Sequence, residues 1–200
     1  NDEGPNTGGM GVICPLRIDI ELEEKIHNKI ITPTIKHLEA KKMLYRGILY
    51  FGIMVTSDGP QVLEYNVRFG DPEAQVVMPL LNGDWGEVFL HLAKGELIDL
   101  NWKPLSAACV VLASQGYPDQ PVKGGIIQGD INYSTPSSYF LHAGTDQDDQ
   151  GEWLTSGGRV LNAIGIGSDL KESVKLAYEQ AKKVPWQGYQ MRADIGAKQL

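Results

Sequence analysis

The sequence predicts an α+β fold, with helices around an antiparallel hairpin first and a strand-rich stretch closed by a helix after it. Three observations carry this. Leu22, Ile26, Ile30, Ile31, Ile35 and Leu38 recur at helical spacing and mark one buried stripe. The apolar run Gly47 to Thr56 turns at Ser57-Asp58-Gly59-Pro60 into the alternating Val62 to Asn66, which reads as a hairpin. Leu105 to Ser114 is a buried strand, and helical periodicity returns only from Ser168 or Asp169 to Lys183.

Taken in order, the chain opens on a loop, Asn1 to Gly11, with glycines at positions 4, 8, 9 and 11 beside Pro5 and Asn6, which excludes a regular element there. Such a loop can turn several N–H groups toward one point as an anion-binding nest, and Asp2, Asn6 and Thr7 add polar side chains to it. Simple terminal flexibility is the competing reading. Neither the phosphate-loop pattern nor the dinucleotide fingerprint is present. Asp19 then stands as the cap of the long helix, and Pro33 within it predicts a kink or break with Thr32 as a second cap. Pro72 to Leu81 and Asp84 to Lys94 are two further helices, parted by Asn82-Gly83, and Gly95 closes the second. The pattern lapses over 97–104. Residues 1–96 and 105–200 are therefore expected as separate domains, the second small and mostly β. In it, strands are expected near Gly125 to Gln128, Tyr139 to Ala143 and Arg159 to Ile166. Asp169 with Glu172 forms a capping-box pattern for the last helix, whose inner face is Val174, Ala177, Tyr178 and Ala181.

Composition removes several function classes. With 42% hydrophobic and 22% charged residues the chain is ordinary globular material. No apolar run reaches the roughly 18 residues of a membrane span, and no signal-peptide pattern opens the chain. A net charge of −7 argues against a general nucleic-acid binder. Cys14 and Cys109, far apart among apolar residues, read as reduced core thiols of a cytoplasmic protein. The histidines lack zinc spacing; His142, near a strand end, reads as a structural residue or a base.

The chemistry concentrates in Leu63 to Glu73. On the alternating strand Leu63 and Tyr65 share one face, Glu64 and Asn66 the other. Oxygen-bearing side chains at i and i+2 stand roughly 7 Å apart, on a rise of about 3.3 Å per residue. Both can then reach one hard divalent cation at about 2.1 Å. Arg68, two residues on, meets an anion if the extended geometry continues. The same pattern also describes the solvated face of an edge strand. Asp71-Pro72 reads as a helix cap and N1 proline, and Glu73 suits the first turn of that helix, so both have a structural reason to be there. Glu64 and Asn66 have none, because a strand gains nothing from an exposed Asn.

With these motifs placed, the whole chain resembles the C-terminal half of the glycinamide ribonucleotide synthetase family, within the ATP-grasp superfamily. The resemblance is carried by Gly4-Pro5-Asn6-Thr7-Gly8-Gly9-Met10-Gly11 and by Glu64-Tyr65-Asn66-Val67-Arg68-Phe69-Gly70-Asp71-Pro72-Glu73. Gly116-Tyr117-Pro118, His142-Ala143-Gly144-Thr145, Gly157-Gly158-Arg159-Val160-Leu161 and Ala193-Asp194-Ile195-Gly196 add to it. It implies ligation of glycine to 5-phosphoribosylamine with ATP through a glycyl phosphate, in purine biosynthesis. It also implies Glu64 and Asn66 as ligands of Mg2+ or Mn2+, and Arg68 as the holder of the transferring phosphoryl group. Asp71 and Glu73 would orient the amine or the glycine ammonium, and Asn6, Thr7, Gly8 and Gly9 would hold substrate carboxylate or phosphate. In that family the ATP-clamping part precedes the point where this chain begins. The expectation is therefore a fragment, the metal half of an active site, inactive without its N-terminal half. Two alternatives are another ATP-grasp carboxylate–amine ligase and a non-catalytic interaction module derived from one.

Overall fold

A computed structural model describes residues 4–200, so Asp2 lies outside the described residues. The chain packs as two compact units. One contains residues 4–15, Asp71–Leu81 and Trp102–Leu200; the other contains Leu16–Gly70 and Asn82–Asn101. These packing units are discontinuous in sequence, unlike the expected break over 97–104.

The larger unit is built on a four-stranded antiparallel sheet in the order β1-β4-β8-β5. Its strands are β1 (Gly11–Cys14), β4 (Ser106–Ala113), β5 (Ser138–His142) and β8 (Arg159–Gly167). Every residue of β4 from Ala107 to Ala113 is fully buried, because both faces of the sheet are covered. Ala108, Val110 and Leu112 belong to the core that includes Val174, Ala177 and Ala181 of α5 (Leu170–Ala181). On the other face Ala107, Cys109 and Val111 pack with Val76 and Leu80. The latter come from α3 (Ala74–Val77) and the 3-10 turn Met78–Leu80. Burial on both faces explains why β4 reads as a continuous apolar run without alternation.

β1 is absent from the sequence reading, which saw only the glycine-rich loop. It nevertheless pairs with β4, Gly11 opposite Val110 and Cys14 opposite Ala107. The capping pattern of α5 is present in a shifted form. Asp169 accepts from the Glu172 N–H at 2.8 Å, while Glu172 accepts from Ser168 instead of Asp169. Near Ile126 only an isolated bridge to Leu154 forms, where a strand was expected. A small unexpected hairpin, β6 (Thr145–Gln147) with β7 (Trp153–Thr155), stands beside it.

In the second unit α1 (Ile20–Ile26) starts at Asp19, whose carboxylate accepts from the Leu22 N–H at 2.7 Å. No break follows. The helix widens to a π-segment over His27–Ile31 and continues as α2 (Thr32–Ala40). Pro33 has no N–H to give to the preceding turn, and the π-segment is the helix's way around that loss. Thr32 is therefore in helical conformation and caps nothing; its N–H goes to the His27 carbonyl. The hairpin joins β2 (Tyr50–Thr56) to β3 (Gly59–Asn66), with a register shift at Gly52/Ile53. α4 (Trp85–Lys94) is closed by Gly95 as expected, and Asp84, read as its first residue, is instead its N-cap. No helix among the described residues is long and apolar enough to cross a membrane.

Candidate functional site

On β3 the two faces divide as the alternation requires. The Tyr65 hydroxyl lies 3.1 Å from Thr34 Oγ1 of α2, and its ring meets Phe51 edge-on at 5.3 Å, although Leu63 and Tyr65 both remain exposed on that face. Glu64 and Asn66 project from the other face and meet directly: Asn66 Nδ2 donates to Glu64 Oε1 at 3.0 Å. Glu64 is exposed and Asn66 half-buried, so the pair is open to solvent. Gly52 sits opposite Glu64 in the register, and a Cβ there would stand 2.8 Å from Glu64 Cγ. The absence of that Cβ leaves the carboxylate room to lie across the sheet.

The pair suits a hard cation by its donor types. One carboxylate and one amide carbonyl are oxygen ligands, enough for an ion that keeps its other positions for phosphate and water. Beyond their mutual bond the two side chains make no hydrogen bond or ion pair among the described residues that would hold those oxygens elsewhere. No cluster of three or more His, Cys, Asp or Glu able to hold a metal occurs among the described residues. A closed protein cage for a metal is therefore missing there. Arg68 differs from the expectation. β3 ends at Asn66, the chain bends, and Arg68 Nη1 donates back to the Phe69 carbonyl at 2.7 Å. The extended register does not carry it onto the Glu64 face.

The remaining candidates lie in the larger unit. Asp71 is no helix cap: the N-cap position of α3 is Glu73, whose side chain makes no capping bond to the helix. The Asp71 carboxylate is held instead from two sides, by Gln75 Nε2 at 2.7 Å and by Arg159 Nη2 at 2.9 Å. Arg159 Nη1 also donates to the carbonyls of Asp71 and Gly9, at 2.8 and 3.1 Å. Glu73 is half-buried at the head of α3. In the glycine loop Asn6 and Thr7 are exposed, and the Gly8 N–H donates to the Tyr117 hydroxyl at 3.1 Å. The loop is therefore pinned to the sheet, and one of the N–H groups expected in an anion nest is already used. At the level of sequence Arg159 and Tyr117 appear only within motifs, with no role given to either. The tripeptide Gly157-Gly158-Arg159 was the available signal, since small residues beside a charge suggest a close backbone approach.

Beside the loop lies a cleft of about 340 Å3, lined among others by Thr7, Tyr117, Gln190, Arg192 and Asp194. Arg192 grips Asp194 in two hydrogen bonds of 2.7 and 2.6 Å, which hold that carboxyl well below the usual carboxylate range. His142 has a structural setting: Nδ1 lies 2.8 Å from Thr145 Oγ1, and the ring packs on Trp153 at 4.6 Å.

Comparison with known proteins adds the following. The family model described as Phosphoribosylglycinamide synthetase, ATP-grasp (A) domain, matches residues 1–74. The model for the C domain of the same synthetase matches residues 107–198. Phosphoribosylamine–glycine ligase of Caldanaerobacter subterraneus is 42% identical over 199 residues, covering 98% of this chain and 47% of that protein. The crystal structure of phosphoribosylamine–glycine ligase from Thermotoga maritima superposes with a TM-score of 0.84 at 37% identity, covering 97% of this chain and 48% of that one. The biotin carboxylase domain of a thermophilic 2-oxoglutarate carboxylase shares the fold alone, with a TM-score of 0.63 at 15% identity over 91% of this chain and 41% of that one. The chain thus spans about half the length of the ligases it matches.

Proposed function

The chain belongs to the phosphoribosylglycinamide synthetase family, and on that premise we propose that it carries the metal- and phosphoryl-handling part of an ATP-dependent carbon–nitrogen ligase. Its reaction joins glycine to 5-phosphoribosylamine in purine biosynthesis, in the cytoplasm. The glycine carboxylate takes the γ-phosphoryl group of ATP and ADP leaves. The amine of phosphoribosylamine then attacks the acyl phosphate, giving glycinamide ribonucleotide and releasing phosphate.

The observation that carries the reading is the Glu64–Asn66 pair on one open strand face, inside the segment matched to the ATP-grasp domain. A divalent cation, Mg2+ or Mn2+, would be held by these two side chains and would neutralise charge on the β- and γ-phosphates of ATP. Phosphoryl transfer is mostly positioning and charge neutralisation, so the protein needs few reacting groups of its own. Arg68 holds the transferring phosphoryl group by electrostatics, after exchanging its bond to the Phe69 carbonyl for one to the ligand. Asp71 and Glu73 orient the amine or the glycine ammonium. Asn6, Thr7, Gly8 and Gly9 hold a substrate carboxylate or phosphate. The division into residues 1–96, a linker over 97–104 and 105–200 is proposed as one of sequence modules, supported by matches that end at 74 and resume at 107.

In the complete enzyme containing this chain, Glu64→Ala and Asn66→Ala are expected to lower turnover by about a hundredfold or more at ordinary Mg2+. Part of the loss should return at raised metal concentration. Turnover near the wild-type level would reject the metal assignment. ADP formation that does not require glycine would point instead to another ATP-grasp ligase.

A further inference from the structure

Three segments far apart in sequence meet at one guanidinium. Arg159, at the start of β8, donates to the Gly9 carbonyl, the Asp71 carbonyl and the Asp71 carboxylate. Its side chain is only 23% exposed, against 51% for Asp71. Tyr117 makes a second tether, accepting from the Gly8 N–H at 3.1 Å. The loop is fitted to both: a Cβ on Gly8 would stand 3.2 Å from the Tyr117 hydroxyl and 3.3 Å from Arg159 Cζ, and one on Gly9 would collide with Pro72. Gly158 has the same need, since a Cβ there would come within 2.5 Å of the Tyr117 ring.

We propose that Arg159 is the positioning residue of the glycine loop, tying Gly9 to Asp71 so that both present their groups to the amine substrate in one fixed arrangement. This rests on the reading that the loop and Asp71 meet substrate. An ordinary exposed ion pair would contribute little. Here the flat fork also spans two backbone carbonyls, which a point-charged ammonium cannot reproduce with the same geometry. With Arg159 on Oδ2 and Gln75 on Oδ1, the Asp71 carboxylate has both oxygens held, and its plane is set. Removing Arg159 frees the carboxylate to rotate about its remaining bond and releases the carbonyl of Gly9.

The test uses Arg159→Lys and Arg159→Gln. In the 200-residue chain, amide exchange of Gly8, the loop amide bonded to Tyr117, should quicken about tenfold in both variants, while amides of Val110–Leu112 and Leu161–Ile164 keep their rates. Unchanged loop exchange, or equal acceleration of loop and core, would overturn the proposal. In the complete enzyme Arg159→Lys should raise KM for phosphoribosylamine about tenfold with KM for ATP within about twofold. Equal shifts in both, or none, would overturn the positioning role. Such a failure leaves the Glu64–Asn66 reading intact, because that reading is judged by its own variants and by metal dependence.

Discussion

Cys109 stands in the middle of β4 with no exposed surface, its thiol 3.7 Å from Asn162 Oδ1. Burial pushes that thiol far above its usual range, since a thiolate there would be a desolvated charge, and the Asp71 carboxylate adds to the effect. Unfolding returns it to about 9. The folded group therefore holds its proton while the unfolded one loses it, so this contribution to stability is complete below about pH 9 and declines above it. Urea melts of the wild type and Cys109→Ala, compared between pH 8 and about 10.5, should show the wild type losing ground at up to about 1.4 kcal/mol per pH unit. Parallel curves would contradict the argument. Cys14, half-buried, should react with a thiol reagent first, and Cys109 only on unfolding. The position of Cys109 was legible in the sequence because a Cys within an unbroken apolar run has few alternatives. Asp71 was not. Its local sequence describes a helix cap well, and only the partner 88 residues away shows otherwise.

At the scale of elements, local chemistry was readable at several helix ends: Asp19 and Asp169 cap their helices and Gly95 closes α4, as expected. Elements defined by a distant partner were harder to see. β1 is four residues of half-buried chain behind a glycine loop, and it exists because β4 offers a free edge. The approach of α5 to β8 is of the same kind. Gly165 lies under the helix, and a Cβ there would collide with the Ser173 carbonyl and the Ala177 N–H and stand 2.9 Å from Leu176 Cβ. Two of those obstacles are backbone, so neither can turn aside. Gly165→Ala is expected to cost about 3 kcal/mol, at the upper end for overpacking. Calorimetry would show a loss of roughly 6–12 °C in melting temperature for a chain of this size. A change of less than a degree would mean that α5 can lift off the sheet at little cost.

Across the whole molecule the apolar material is unevenly placed. Nearly all fully buried hydrophobic side chains belong to the unit built on the β1-β4-β8-β5 sheet; among the described residues the other unit contributes Ile30 and Val88. That other unit also shows the larger share of exposed apolar side chains, Leu44 at 82% and Leu63 at 64% among them. At about 25 cal/mol per Å2 of buried apolar surface, so thin a core gives little beyond the conformational entropy it must offset. Yet this is the unit that presents Glu64 and Asn66. Ligand-binding elements are commonly drawn from the less stable parts of a protein, where they can adjust to what they bind. For the 200-residue chain we expect two unfolding steps in urea instead of one. The first should be seen by exchange of β2 and β3 amides, and the second by those of β4 and β8. The hairpin amides should exchange at least about a hundredfold faster than the sheet amides in the absence of denaturant. A single coincident transition with equal protection in both sets would show that the units unfold together, and that the surface around Glu64 is as firmly held as the sheet.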